Sequence, residues 1–140
     1  MTIPQWTLLG FTTWTLLLLM ATVGVYRWGN ILFANAAIAS FRHDAPDGAG
    51  WYQRGTRAHA NCIENLPVFG AIVWLITVNG LEGPMVDALC IATLAARIVQ
   101  SCVHISHVQT NAFVAVRFSF YSVQLVSFLV LIGMVVSRTV

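Results

Sequence analysis

Lysine is absent from this 140-residue chain, and charge of either sign is scarce. Seven arginines and five acids make up 9% of the residues and leave a net charge of +2. A soluble domain carries roughly 25% charged residues and so keeps a polar coat. The apolar fraction is 58%, with a mean hydropathy of +0.77. That balance excludes a soluble enzyme, a disordered chain and a free nucleic-acid binder. The arginines do not gather into a stripe, and no stacking aromatics interleave with them. Cysteine is scarce too. Cys62, Cys90 and Cys102 lie in or beside apolar segments, and an odd count without short spacing supports neither a disulfide framework nor zinc. No basic side chain precedes the first apolar run, so that run reads as a retained span rather than a signal peptide.

Long apolar runs, by contrast, are abundant. A span needs about 20 residues to cross roughly 30 Å of hydrocarbon. Four segments qualify: about residues 6–28, 56–78, 84–107 and 112–136 of one domain. Helical pattern extends beyond the first toward Ser40. Trp6, Tyr26 and Trp28 stand where interfacial rings would sit. Residues 41–55 break the pattern with Arg42, His43, Asp44, Pro46, Asp47, Gly48, Gly50 and Arg54, and read as a solvent-side loop. The other links are short: Asn79-Gly80 to Gly83-Pro84, and Gln109-Thr110-Asn111. Short links make neighbouring helices antiparallel. The expected fold is therefore an all-α integral membrane four-helix bundle. Arg27, Arg42, Arg54 and Arg57 flank the first loop, which the positive-inside rule assigns to the cytoplasm with both termini on the far side. Arg138 is a single opposing charge.

Glu64, Arg97 and Arg117 fall inside the spans, where a charge costs about 2.5–3.5 kcal/mol on the lenient insertion scale. Each must face the bundle interior, a subunit interface or a wet cavity. Arg57, Asn61 and Glu64 follow i, i+4, i+7 spacing and share one helix face. Arg97, Gln100 or Ser101, and His104 make a similar strip on the third span. Arg117, Tyr121 and Gln124 repeat it on the fourth. Three polar strips toward the cytoplasmic half can converge on one pocket. Two readings stay open. Glu64 can pair with Arg97 or Arg117 and simply hold the bundle, or surplus arginines can grip an anionic ligand through their bidentate forks. His59 lies near the mouth of that pocket. His104 and His107 have metal-compatible spacing but no third ligand, so no metal site is expected.

The segment Arg57-Ala58-His59-Ala60-Asn61-Cys62-Ile63-Glu64-Asn65-Leu66-Pro67 resembles the MAPEG family, the membrane-associated proteins in eicosanoid and glutathione metabolism. Ala96-Arg97 and the later Arg117 resemble that family's third and fourth helices. The likeness runs over essentially the whole chain and is nearest the small bacterial, microsomal glutathione transferase-like branch. It implies a homotrimer of left-handed four-helix bundles in the bacterial inner membrane. It also implies glutathione as cosubstrate between subunits, and a lipophilic electrophile drawn from the membrane lipids. Arg57, Asn61 and Glu64 match glutathione-contacting positions, and Arg97 matches a third-helix arginine. In the leukotriene branch, tyrosines stand where this chain has Gln100 and His104, and an arginine stands near Asn111. Arg117 and Tyr121 are the remaining candidates for activating the thiol. These departures leave two alternatives: a membrane protein that binds a thiol or lipid ligand without turnover, and an enzyme of this type using another thiol.

Overall fold

A computed structural model describes residues 1–41, 47–107 and 110–139. The loop positions Arg42, His43, Asp44 and Pro46, and the link residue Gln109, lie outside the described residues. Of the described residues, 88% are helical. Helix α1 covers Ile3–Leu18, followed by a π-helical turn at Leu19–Gly24 and helix α2 at Val25–Ala34. Helices α3, α4 and α5 cover Gly50–Val78, Pro84–Ser106 and Asn111–Thr139. A single 3-10 turn, Ile38–Ser40, sits in the first loop.

Local chemistry explains where the helices start and stop. The Thr2 amide donates to Gln5 Oε1 at 3.0 Å, closing a capping box, and Pro4 sits in the first turn, where a missing N–H costs nothing. Asn35 ends α2 in the left-handed conformation, with φ 51°. Gly83 and Pro84 restart the chain as α4. Pro67 lies within α3 and the helix continues through it. Threonine hydroxyls in the first span return to the preceding turn: Thr12 to Leu8, Thr15 to Phe11 and Thr22 to Leu18 carbonyls, at 2.6–3.0 Å. This satisfies polar side chains where no water is available.

Four helical stretches are long and apolar enough to cross a membrane: 3–34, 50–78, 84–106 and 111–138. The first is 32 residues without a break, about 48 Å at 1.5 Å per residue, and overreaches roughly 30 Å of hydrocarbon. The helix ends differ from the expected spans chiefly at one end of the bundle. There the first helix runs on to Ala34, and α3 begins six residues earlier than the apolar run alone suggests. Periodic apolar residues mark what is inside hydrocarbon, whereas a helix continues into water wherever its neighbours support it.

The apolar core is built across all four long helices, from Phe11, Cys62, Phe69, Ile72, Val73, Val86, Cys90, Phe128, Leu131 and Val135 among others. Phe69 is its centre, with ring centroids 5.6 Å from Phe11 and 5.9 Å from Phe128. Leu16, Leu17, Met20, Trp74, Leu129 and Ile132 point outward and are exposed, as a lipid-facing surface requires. Buried polar side chains crowd the other end: Arg97, Gln100, Ser101, His104 and Gln124. The bundle therefore has an apolar half and a polar half, and the polar half is the end that carries Arg27, Arg54, Arg57 and Arg117.

Candidate functional site

The polar half is clamped by contacts between helix ends. Arg54 Nε donates to the Ile105 carbonyl at 2.8 Å, satisfying a free carbonyl in the last turn of α4 and placing positive charge at that helix's negative end. Arg27 Nε donates to Tyr52 Oη at 3.0 Å, and the Arg27 guanidinium also lies over the Phe41 ring at 5.7 Å. Tyr52 is fully buried and stacks on Tyr26 with centroids 4.1 Å apart. Trp51 and Phe41 meet Tyr26 edge-on. Tyr26 is thus also a partner in an aromatic cluster, while Trp6 and Trp28 are exposed.

The three polar strips converge only in part. Asn61, Gln100, Arg117 and Tyr121, with Val114 and Phe118, line an open recess of about 270 Å³ between α3, α4 and α5. Gln100 Nε2 donates to the Arg117 carbonyl at 3.2 Å. Gln124, fully buried behind it, donates from Nε2 to Gln100 Oε1 and to the Phe120 carbonyl, each at 3.0 Å. Arg117 is half-buried, and its Nε has no partner. Arg57 and Glu64 are exposed on the protomer, on the same α3 face as Asn61.

Arg97 and His104 do not line this recess. Arg97 is 1% exposed and inserts into the core, its guanidinium carbon 5.5 Å from the Phe11 ring centroid. Its Nε and Nη2 have no hydrogen-bond partner, and neither has His104 Nε2. Ser101, beside Arg97, donates to the Arg97 carbonyl at 2.8 Å and lies 3.6 Å from Cys62 Sγ. The expected Glu64 pairing with Arg97 or Arg117 is not formed. Among the described residues Glu64 makes no ion pair, because α3 turns its carboxylate outward while Arg97 points inward.

A second recess, of about 360 Å³, lies on the other flank of the Arg57–Glu64 strip, between the π-turn and α3. Leu19, Val23, Ala60 and Ile63 give it an apolar wall, and Arg27, Thr56, His59 and Glu64 a polar one. His59 Nδ1 is buried there without a partner. Arg27 entered the sequence reading only as an orienting charge, and Tyr52 not at all. The signal available was the pair of aromatic doublets that flank the first loop, Tyr26 beside Arg27 and Trp51-Tyr52.

An all-α bundle whose four long helices are apolar enough to span a membrane, with a donor-lined recess near one end and the unpaired Arg57 and Glu64 on the adjoining face of α3, defines a class: the integral membrane helical bundles. The chain belongs to the MAPEG family, whose model matches residues 6–137. That family is the membrane-associated proteins in eicosanoid and glutathione metabolism. No curated protein and no solved structure matches the chain.

Proposed function

We propose that this protein is a glutathione-dependent transferase or peroxidase acting on small lipophilic electrophiles. The observation that carries the reading is the recess of Asn61, Gln100, Arg117 and Tyr121, with Arg57 and Glu64 exposed and unpaired on the same face of α3 as Asn61. Glutathione has two carboxylates, one ammonium and one thiol. Arginine forks suit the carboxylates, Glu64 suits the ammonium, and the donors of the recess suit a sulfur that carries negative charge. The thiol, with a pKa of about 8.5–9 in water, needs such donors to ionise at neutral pH. The thiolate then forms a carbon–sulfur bond to an electrophile arriving from the bilayer, expelling its leaving group or adding across its activated double bond, or it attacks a peroxide oxygen, breaking the O–O bond to release the alcohol and a glutathione sulfenic acid that a second glutathione converts to the disulfide and water. No cysteine of the chain is the nucleophile.

Exposure of Glu64 supports an oligomer. It lies about 21 Å from the Val78 end of α3 at 1.5 Å per residue, well within the hydrocarbon. An uncovered carboxylate there is costly. A neighbouring copy covers it in the homotrimer that family membership suggests. The α1–α3 recess, with Arg27 and His59, then becomes the facing half of a glutathione site between subunits. The arginine-rich end faces the cytoplasm, both termini face the periplasm, and the membrane is a bacterial inner membrane.

The test is calorimetric glutathione binding to the purified protein in nanodiscs, with thiolate absorbance followed in the ultraviolet. Arg57→Ala and Glu64→Ala are each expected to weaken binding about tenfold or more, the usual effect of losing a hydrogen bond to a charged group. Both residues are exposed on the protomer, so its own fold stays intact. No binding at millimolar glutathione refutes the proposal. Saturable binding without a thiolate band or turnover favours a non-enzymatic ligand-binding protein, a reading supported by Gln100 and His104 standing where the leukotriene branch of the family carries tyrosine.

A further inference from the structure

Gln100 and Gln124 form a chain of two amides whose polarity is fixed at both ends. Phe120 and Arg117 each present a backbone carbonyl, which can only accept. Gln124 must therefore turn its NH₂ toward Phe120, and does so at 3.0 Å. The same nitrogen reaches Gln100 at 3.0 Å, so Gln100 must offer its oxygen there. That leaves the Gln100 nitrogen on the side of the Arg117 carbonyl, 3.2 Å away. A flip of Gln124 would set oxygen against oxygen at both of its contacts, and a flip of Gln100 would set nitrogen against nitrogen at Gln124 and oxygen against oxygen at the Arg117 carbonyl. The usual ambiguity of amide orientation is thus resolved by the network.

One consequence concerns the recess. The Gln100 amide nitrogen carries two hydrogens, and the Arg117 carbonyl takes one. Gln100 lines the recess, and its oxygen is committed to Gln124, so what it can offer a ligand is an N–H. We infer that Gln124, which is wholly buried and lines no part of the recess, is a positioning residue that makes Gln100 the hydrogen-bond donor to the ligand's thiolate sulfur. This inference rests on the glutathione reading above. It assigns to a locked amide the donor role for which a hydroxyl is otherwise needed, and accounts for a glutamine at that place. On ionisation the sulfur gives its proton to solvent water and accepts hydrogen bonds only, from Gln100 Nε2 and the neighbouring Arg117 or Tyr121. The charged and titratable groups around that position are Arg57 and Glu64 on α3, Arg97 and His104 on α4, and Arg117 and Tyr121 on α5; the Gln124 substitution alters none of them.

The experiment compares wild type, Gln124→Met, Gln100→Met and the double variant in nanodiscs. Methionine keeps the length and volume of glutamine and removes only the amide. Two quantities are read: the pH midpoint of the thiolate band of bound glutathione, and the affinity for S-methylglutathione, whose sulfur cannot ionise. Gln124→Met is expected to raise the midpoint by about one unit, a tenfold loss of thiolate at a given pH. S-methylglutathione affinity should stay within about twofold, which also reports that the variant is folded. Gln100→Met should give at least the same shift, and the double variant no more than Gln100→Met alone, because the two act as one device. An unchanged midpoint in Gln124→Met, with wild type showing a thiolate, overturns the inference while leaving the glutathione reading intact. Wild type that forms no thiolate overturns both.

Discussion

Gly55 is the place where one added methyl group should do the most damage. A Cβ at this position would stand 2.5 Å from the Thr22 Cβ and 2.8 Å from its Oγ1, far inside van der Waals contact. Thr22 cannot swing aside, since the nearest atom is its own Cβ, fixed to the backbone, and its hydroxyl is held at 2.6 Å by the Leu18 carbonyl. Gly55→Ala must therefore push α3 away from the π-turn, at a cost of about 1–3 kcal/mol for overpacking. Helix propensity works the other way, favouring alanine by roughly 0.5–1 kcal/mol. The expected net loss is about 0–2.5 kcal/mol, centred on about 1 kcal/mol. Gly70→Ala, on the same helix, is the matched control. Its added Cβ would meet only Leu8 Cδ1, at 3.9 Å, an ordinary contact. Gly70→Ala should leave stability unchanged or slightly raised. Thermal unfolding in one detergent at one protein concentration separates the two. Thr22→Gly combined with Gly55→Ala should recover part of the loss by moving the small residue to the other helix. If Gly55→Ala melts at or above Gly70→Ala, the steric reasoning is wrong.

Two further outcomes follow from contacts described above. Arg97→Met should unfold no more easily than wild type, because two of the guanidinium nitrogens it removes are buried without partners and a matched apolar side chain is often neutral or stabilising there; a loss above about 2 kcal/mol in detergent unfolding would show that Arg97 has a partner worth keeping. Tyr52→Phe removes the acceptor of Arg27 Nε but leaves the ring stack on Tyr26, so a loss of about 1 kcal/mol in stability is expected, and a variant as stable as wild type would mean that the stacking alone holds Arg27's neighbourhood together.

Much of the bundle was legible because hydrocarbon imposes a harsh rule. Apolar runs of span length could only be membrane helices, and the short links at Asn79–Pro84 and Gln109–Asn111 left little freedom in how they pack. The strips were legible in spacing but not in rotation. Asn61, Gln100, Arg117 and Tyr121 meet as their periodicity suggested. Arg97 is buried on the same inward face of α4 as Val86, Cys90 and Gln100, yet it reaches the Phe11 ring rather than the recess, because which neighbouring helix each side chain of that face meets is set by tertiary packing that no single helix's pattern reveals. The α1–α3 recess was hidden for a different reason. It depends on the π-turn, and Leu19–Gly24 reads in sequence as an ordinary apolar stretch. Arg27 therefore looked like a flanking charge when it is a wall of a cavity.

The π-turn has a consequence for chain length. A π-turn accommodates an added residue in a helix without unfolding it, and each added residue turns everything downstream by about 100°. Tyr26 and Arg27, immediately downstream of the π-turn, are the side chains that meet Tyr52. A relative lacking one residue between Leu19 and Gly24 would run as plain α-helix through the same membrane, with its core untouched, yet it would present a different edge of the helix to α3. Gaps in this short apolar stretch, easily dismissed as neutral between related chains, would thus decide which side chain faces the recess.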